Sequence, residues 1–242
     1  MTDQTAIVTG AGKRVGAAIA RALLADGWRV VAHVHHEEDD VPGGATKVVA
    51  DLADPGCAKT IFDAAAALPA VRLLVNNAAR FAWDGFGEFS ETEFDNHMAV
   101  NVRAPALLID CLAGDHGCGD ALVVNLLDSK LLAPNPDYLS YTLSKYALRG
   151  LTEVAARALA QRRIRVNAIA PALMLRSSGQ SEKNFEIMHS NNPLGRGVGP
   201  DDVIAALRYL IGATAVTGQV ITIDSGQRFY ELARDVQFLG DE

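Results

Sequence analysis

Thr5-Ala-Ile-Val-Thr-Gly10-Ala-Gly12-Lys13-Arg14-Val15-Gly16 is a short β-rich run that passes directly into a glycine loop. Residues 17–25, Ala-Ala-Ile-Ala-Arg-Ala-Leu-Leu-Ala, then combine strong helix formers with an apolar face, and Asp26-Gly27 supplies a C-terminal stop. Strand, glycine loop and helix in that order read as a cradle for phosphate. The glycines allow a tight turn and close approach of an anion to the backbone, and the helix start presents the positive end of its dipole. The glycine spacing does not fit G-x-G-x-x-G, and taken alone the segment reads equally as a plain glycine turn.

Working outward, residues 5–9, 29–34, 47–50, 73–75, 121–126, 165–169 and 219–223 are apolar, β-branched runs with helical segments between most of them. Short continuous apolar strands alternating with helices imply a parallel sheet buried on both faces. The expected fold is α/β: one doubly wound Rossmann-type domain over residues 1–242 with a seven-stranded parallel sheet. Ligands of such sheets bind beyond the carboxyl ends of the strands, where Gly10, Asn77, Asp128 and Pro171 fall. Residues 172–199 are polar and irregular, and a connection of that length is expected to be a functional lid or disordered. The tail, residues 227–242, carries Phe229, Tyr230, Leu232, Val236 and Phe238 and is too apolar to float freely. It is expected to dock on its own body or on a neighbouring subunit.

With 242 residues, 49% of them hydrophobic and 21% charged, the composition is that of an ordinary globular chain. A net charge of −7 argues against nucleic acid and against anionic membrane surfaces as partners. No signal peptide and no apolar run approaching ~20 residues is seen, so the expected location is the cytoplasm. Cys57, Cys111 and Cys118 are odd in number and lack a C-x-x-C spacing, which disfavours a disulfide framework and a zinc ribbon. Cys111, His116 and Cys118 lie close in sequence but lack a fourth ligand, so no metal is expected.

Tyr141-Thr-Leu-Ser-Lys145 sets a phenol and an ammonium four residues apart, on one face of an expected helix. A neighbouring ammonium favours the phenolate and eases loss of a proton whose ordinary pKa is near ~10. That is the equipment of a general acid. The spacing alone also describes many polar helix faces.

The motifs Thr9-Gly10-x-x-x-Arg14-x-Gly16, Asp51-Leu52, Asn76-Asn77-Ala78, Asn101 and Tyr141-x-x-x-Lys145 occur in one order along nearly the whole chain. They are joined by Arg165-Val-Asn-Ala-Ile-Ala-Pro171, Pro193-Leu-Gly-Arg196 and Thr217-Gly-Gln-Val-Ile-Thr-Ile-Asp224. In this set the chain resembles the short-chain dehydrogenase/reductase family. The resemblance implies an NAD(P)-dependent enzyme in which Gly10, Lys13, Arg14, Val15 and Gly16 meet the cofactor phosphates, Asp51 the adenine amino group, and Leu52 supplies an amide beside it. Asn77 and Ala78 would run along the adenosine ribose, and Pro171 would begin the segment against the nicotinamide. Lys145 would hold the nicotinamide ribose and depress the Tyr141 pKa, and Asn101 would anchor a water linking Lys145 to solvent. At the end of the second strand, His35 and His36 with Lys13 and Arg14 favour NADPH, while Glu37 and Glu38 favour NADH.

The family's usual serine, thirteen positions before the tyrosine, is replaced here by Asp128. A carboxylate accepts hydrogen bonds but donates none to a ketone oxygen; it suits a heteroaromatic substrate bearing N–H groups. The same aspartate, with arginine for the middle loop glycine, is similar to pteridine, dihydromonapterin and dihydrofolate reductases of this family. That likeness implies NADPH-dependent hydride transfer to a C=N bond of a pterin-like substrate bound by Arg14, Phe81, Asp128 and Tyr141, with Phe81 stacking the pterin. The catalytic set would be Tyr141, Lys145, Asp128 and Asn101. Ala79 departs from the pattern, since a serine often stands there. Two alternatives remain open: an NADPH-dependent carbonyl reductase using Ser129 or Ser140, and a nucleotide-binding regulator without catalysis. The Tyr141 helix continues through Ala147, Leu148, Leu151, Val154 and Ala158, giving a second apolar face. Members of the resembled family bury that face between subunits, so the resemblance implies a homotetramer.

Overall fold

Alternation along the strands builds both layers of the core. In β1 (Thr5–Val8), Ala6 and Val8 face one side of the sheet and Ile7 the other; in β4 (Val71–Asn76), Leu73 and Val75 pair with the first set and Leu74 with the second. The remaining strands are β2 (Arg29–Val34), β3 (Thr46–Val49), β5 (Ala121–Leu126), β6 (Ile164–Pro171) and β7 (Val220–Ile223). All pair in parallel, in the order β3-β2-β1-β4-β5-β6-β7, with β1 between β2 and β4. The order reverses at β1, so a crevice opens between the ends of β1 and β4. The computed structural model describes residues 4–114, 119–177 and 179–239. His116 and Cys118 lie outside them.

Helices α1 (Arg14–Ala25) and α7 (Pro200–Gly212) cover the Val8 side, burying Ile19, Leu23, Val203 and Leu207. On the Ile7 side, α2 (Cys57–Asp63), α4 (Ala104–Gly114) and α5 (Leu139–Leu159) bury Ile61, Leu108, Leu112 and Ala155. Among the described residues no helix is long and apolar enough to cross a membrane. The helix expected at 17–25 starts three residues earlier, at Arg14, and closes as expected on Asp26 and on Gly27 at φ +88°.

The Arg165-Val-Asn motif is structural. Arg165 Nη1 donates to the carbonyls of Leu210, Ala213 and Val216, the open end of α7. Asn167 donates to Val216 and accepts from the Gln219 amide, which fixes the turn into β7.

Two expectations need correction. Residues 172–199 are not wholly irregular: α6 (Glu182–Ser190) forms there because Ser181 caps the Asn184 amide and Asn184 and Met188 bury one face. On α5, Leu148 points into the core at 2% exposure, while Leu143, Val154 and Ala158 face outward, with Val154 67% exposed. The outward stripe therefore has a different membership from the one the sequence suggested. The tail packs on its own chain: Asn184 Nδ2 donates to the Leu239 carbonyl and Tyr138 Oη to Gln237 Oε1.

Candidate active site

Residues assigned to the cofactor from sequence line one cleft of about 590 Å³ along the carboxyl edge of β1, β2 and β4, from His35 and Asp51 at one end to Tyr141, Lys145 and Pro171 at the other. Its floor is locked by side chains. Thr9 Oγ1 accepts the amides of Asn77 and Ala78, each at 3.0 Å, and Asn77 Nδ2 donates to the carbonyls of Thr9 and Gly10. Gly16 has no room for a side chain, since a Cβ would stand 2.0 Å from the Gly10 carbonyl oxygen. Gly10 turns at φ +65°, where only glycine is unstrained.

Sequence reasoning missed His33. Buried in β2, it accepts the Gly10 amide at Nδ1 (3.2 Å) and donates from Nε2 to the Ala50 carbonyl (2.9 Å), bracing the loop from beneath. Burial holds its pKa below the ordinary value, so it is a neutral strut. A histidine pointing inward from an apolar strand was the available signal.

Arg14 takes the glycine's place in the loop and the glycine's conformation, φ +53°. Its guanidinium donates to the carbonyls of Arg176 (2.8 Å) and Leu175 (3.1 Å), so it clamps the start of the 172–199 segment to the glycine loop. At the far end His35 lies against His36 with ring centroids 4.1 Å apart and planes tilted by 30°, and stands 3.8 Å from Asp51. Asp39 also lines this end, its carboxylate held low by the His36 amide. Glu37 and Glu38 are not among the lining residues.

Tyr141, Lys145 and Asp128 meet at the other end. Tyr141 Oη donates to Asp128 Oδ2 at 2.9 Å, and the Lys130 amide donates to Asp128 Oδ1 at 2.9 Å. Lys145 Nζ donates to the Leu126 carbonyl at 2.7 Å and stands 5.5 Å from the Tyr141 ring centre. The expected depression of the Tyr141 pKa by Lys145 is reversed: burial and the adjacent Asp128 carboxylate push the phenol well above its ordinary value. The physical reason is proximity, because the carboxylate touches the hydroxyl while the ammonium is turned to a carbonyl. Burial raises the Asp128 pKa, and burial lowers Lys145 to about 8 against the pull of Asp128. Tyr141 therefore keeps its proton at neutral pH and donates it to Asp128 Oδ2 in a hydrogen bond.

Asn101 sits in a π-helical turn, Ala99–Arg103, that interrupts the run from α3 (Glu91–Met98) into α4. Its amide accepts from the Arg80 N–H and donates to the Arg80 carbonyl and Ser144 Oγ, so the side chain itself serves Arg80 and α5 rather than Lys145. Phe81 lies beside the phenol, edge-on to Tyr141 at 4.8 Å and stacked on Tyr138 at 4.2 Å. Ser140 is not free to replace the missing serine. Its amide and hydroxyl both donate to Asp84, which is 1% exposed and holds the first turn of α5. The α5 cap residue, Tyr138, is left-handed at φ 56° and gives no side-chain cap of its own. Asp84 carried no signal in sequence, since it lies 56 residues from the amide it caps.

A family model described as enoyl-(acyl carrier protein) reductase matches residues 10–228. FolM alternative dihydrofolate reductase 1 from Brucella suis, solved in complex with NADP, superposes with a TM-score of 0.86 at 36% identity, covering 94% of this chain and 96% of that one. L-xylulose reductase of Bos taurus is 31% identical over 240 residues, 93% of this chain and 97% of the relative. Pteridine reductase 1 of Leishmania tarentolae is 30% identical over 287 residues, covering 96% of this chain and 98% of the relative. The chain belongs to the short-chain dehydrogenase/reductase family.

Proposed function

We propose that this member of the short-chain dehydrogenase/reductase family is an NADPH-dependent reductase of the C=N bond of a pterin-like substrate. The observation that carries the reading is the Tyr141–Asp128 pair, a phenol donating to a carboxylate where a carbonyl reductase presents a second hydroxyl. The relatives named pteridine reductase 1 and alternative dihydrofolate reductase support it.

The cleft suits a dinucleotide. The start of α1 and the basic Lys13 and Arg14 favour phosphates, the adjacent His35–His36 pair and Lys13 favour a 2′-phosphate, and Asp51 offers an acceptor to an adenine amino group. A reduced nicotinamide dinucleotide held there would supply the hydride. Lys145, at the Tyr141 end, would donate to ribose hydroxyls. Phe81 would offer an aromatic flank to a planar ring, and Asp128 would accept from its N–H or amino groups. Tyr141 would deliver the proton to the substrate nitrogen, and Asp128, hydrogen-bonded to the Tyr141 hydroxyl, would take up a proton and relay it to the phenolate.

Asp128→Ser tests the reading by following NADPH oxidation against dihydropterins or dihydrofolate and against simple ketones and aldehydes. Dihydropterin reduction should fall roughly ten- to a thousandfold, through loss of an acceptor and a proton relay, while carbonyl reduction stays flat or rises. Wild-type turnover confined to carbonyls would instead favour carbonyl reduction, the reading supported by the L-xylulose reductase likeness and by buried Ser129. Ser129→Ala should then abolish it. The outward stripe of α5 further supports a homotetramer, which light scattering at micromolar concentration tests; a monomer would refute it.

A further inference from the structure

We propose that the C-terminal segment 234–238 is part of the substrate site, with Asp235 and Gln237 as positioning residues for Asp128 and for the Phe81–Tyr138 aromatic wall. The proposal rests on the reading that Asp128 and Tyr141 face the substrate.

Two chains of contact carry it. The first is ionic. Lys130, whose amide holds Asp128 Oδ1, extends a side chain only 9% exposed to the Asp137 carbonyl (2.6 Å) and to Asp235 Oδ2 (3.2 Å). Asp137 in turn takes Arg234 Nε at 2.8 Å and the Asp235 amide at 2.8 Å. A tail carboxylate therefore fixes the lysine of the very turn that aims Asp128.

The second chain is aromatic. Tyr138 Oη donates to Gln237 Oε1 at 2.5 Å, and the Tyr138 ring is stacked between Phe238, at 6.1 Å, and Phe81, at 4.2 Å. Phe81 then meets Tyr141 edge-on. Gln237 thus anchors a left-handed, strained Tyr138 that supports the ring beside the catalytic phenol. The segment also touches the 172–199 region, since Asn184 holds the Leu239 carbonyl. It forms the third side of a site whose other sides are the Asp128 turn and the Phe81 loop.

The charge of Asp235 also acts on the pair. Burial is the main cause that raises both Asp128 and Tyr141, and the Asp235 charge adds to the rise in each, while the Lys130 amide and the Lys145 ammonium pull Asp128 the other way. Neutralising Asp235 should therefore move both groups downward.

The test uses full-length protein and the variants Asp235→Asn, Asp235→Glu and Gln237→Leu. Asp235→Asn and Gln237→Leu should each lower kcat/KM for dihydropterin about tenfold, the scale of a small misplacement of reacting groups, with NADPH affinity within about twofold of wild type. Asp235→Glu should recover most of the loss. In Asp235→Asn the alkaline limb of the kcat/KM profile should shift to lower pH, a change that a merely structural role would not produce. If wild type reduces only carbonyls, the pterin reading fails and the same comparison on carbonyls decides this proposal. Unchanged kcat/KM and an unmoved limb in Asp235→Asn would overturn it. So would losses that track thermal stability and NADPH affinity together.

Discussion

Asp84→Ala should weaken the protein and disable its catalysis through one buried contact. Asp84 Oδ1 accepts the Ser140 amide at 2.8 Å, its Oδ2 accepts the Ser140 hydroxyl, and its main-chain carbonyl takes the Leu139 amide. A hydrogen bond to a charged group contributes roughly 1.5–3 kcal/mol, and a carboxylate at a helix start adds up to ~2 kcal/mol when partly buried. Alanine removes both side-chain bonds and strands two donors in a site with no water access, since Asp84 and Ser140 are 1% and 0% exposed. The expected cost is about 3–5 kcal/mol of unfolding free energy. Asp84→Asn keeps an acceptor for the amide, and its NH₂ can donate to the Ser140 oxygen, so about 1–2 kcal/mol is expected. Urea titrations at fixed protein concentration measure both. Because Ser140 precedes Tyr141, kcat should fall at least about tenfold in Asp84→Ala with NADPH affinity little changed, by the sensitivity of proton transfer to placement. A loss below ~1 kcal/mol with wild-type kcat would refute the assignment of Asp84 as the cap of α5.

Tyr141→Phe should abolish turnover while NADPH binding, read by fluorescence titration, stays nearly intact; retention of more than about a tenth of the rate would remove Tyr141 as the acid. His33 and His97 are buried and held below their ordinary pKa, so the folded state binds fewer protons than the unfolded one. Their stabilising contribution is full above about pH 6.5 and declines as the pH falls through the depressed folded values; the thermal midpoint should drop from about pH 7.5 to about pH 5.5, less steeply in a His33→Asn/His97→Asn variant. Arg14→Gly relieves a left-handed residue worth roughly 1–2 kcal/mol but releases the clamp on Leu175 and Arg176. Equal or higher thermal stability is expected, together with weaker NADPH binding and faster proteolysis within 172–199; slower proteolysis would contradict the clamp.

The seven-stranded parallel sheet, the C-terminal stop of α1 and the placement of Tyr141 with Lys145 on one helical face were legible in the chain because each depends on local periodicity: alternation in strands, four-residue spacing in helices, glycines where the backbone must turn. The cleft residues were legible as short motifs because the crevice follows from sheet order. Tertiary structure alone decided the rest, since it depends on partners far apart in sequence. Asp84 caps a helix 56 residues away, His33 braces a loop 23 residues back, and Asp235 reaches Lys130 across 105 residues. The Tyr141 pKa shows the same division. The lysine four positions on was visible in the sequence and pointed downward, but the carboxylate that touches the phenol, and the burial that raises it, exist only once β5 and α5 are packed side by side.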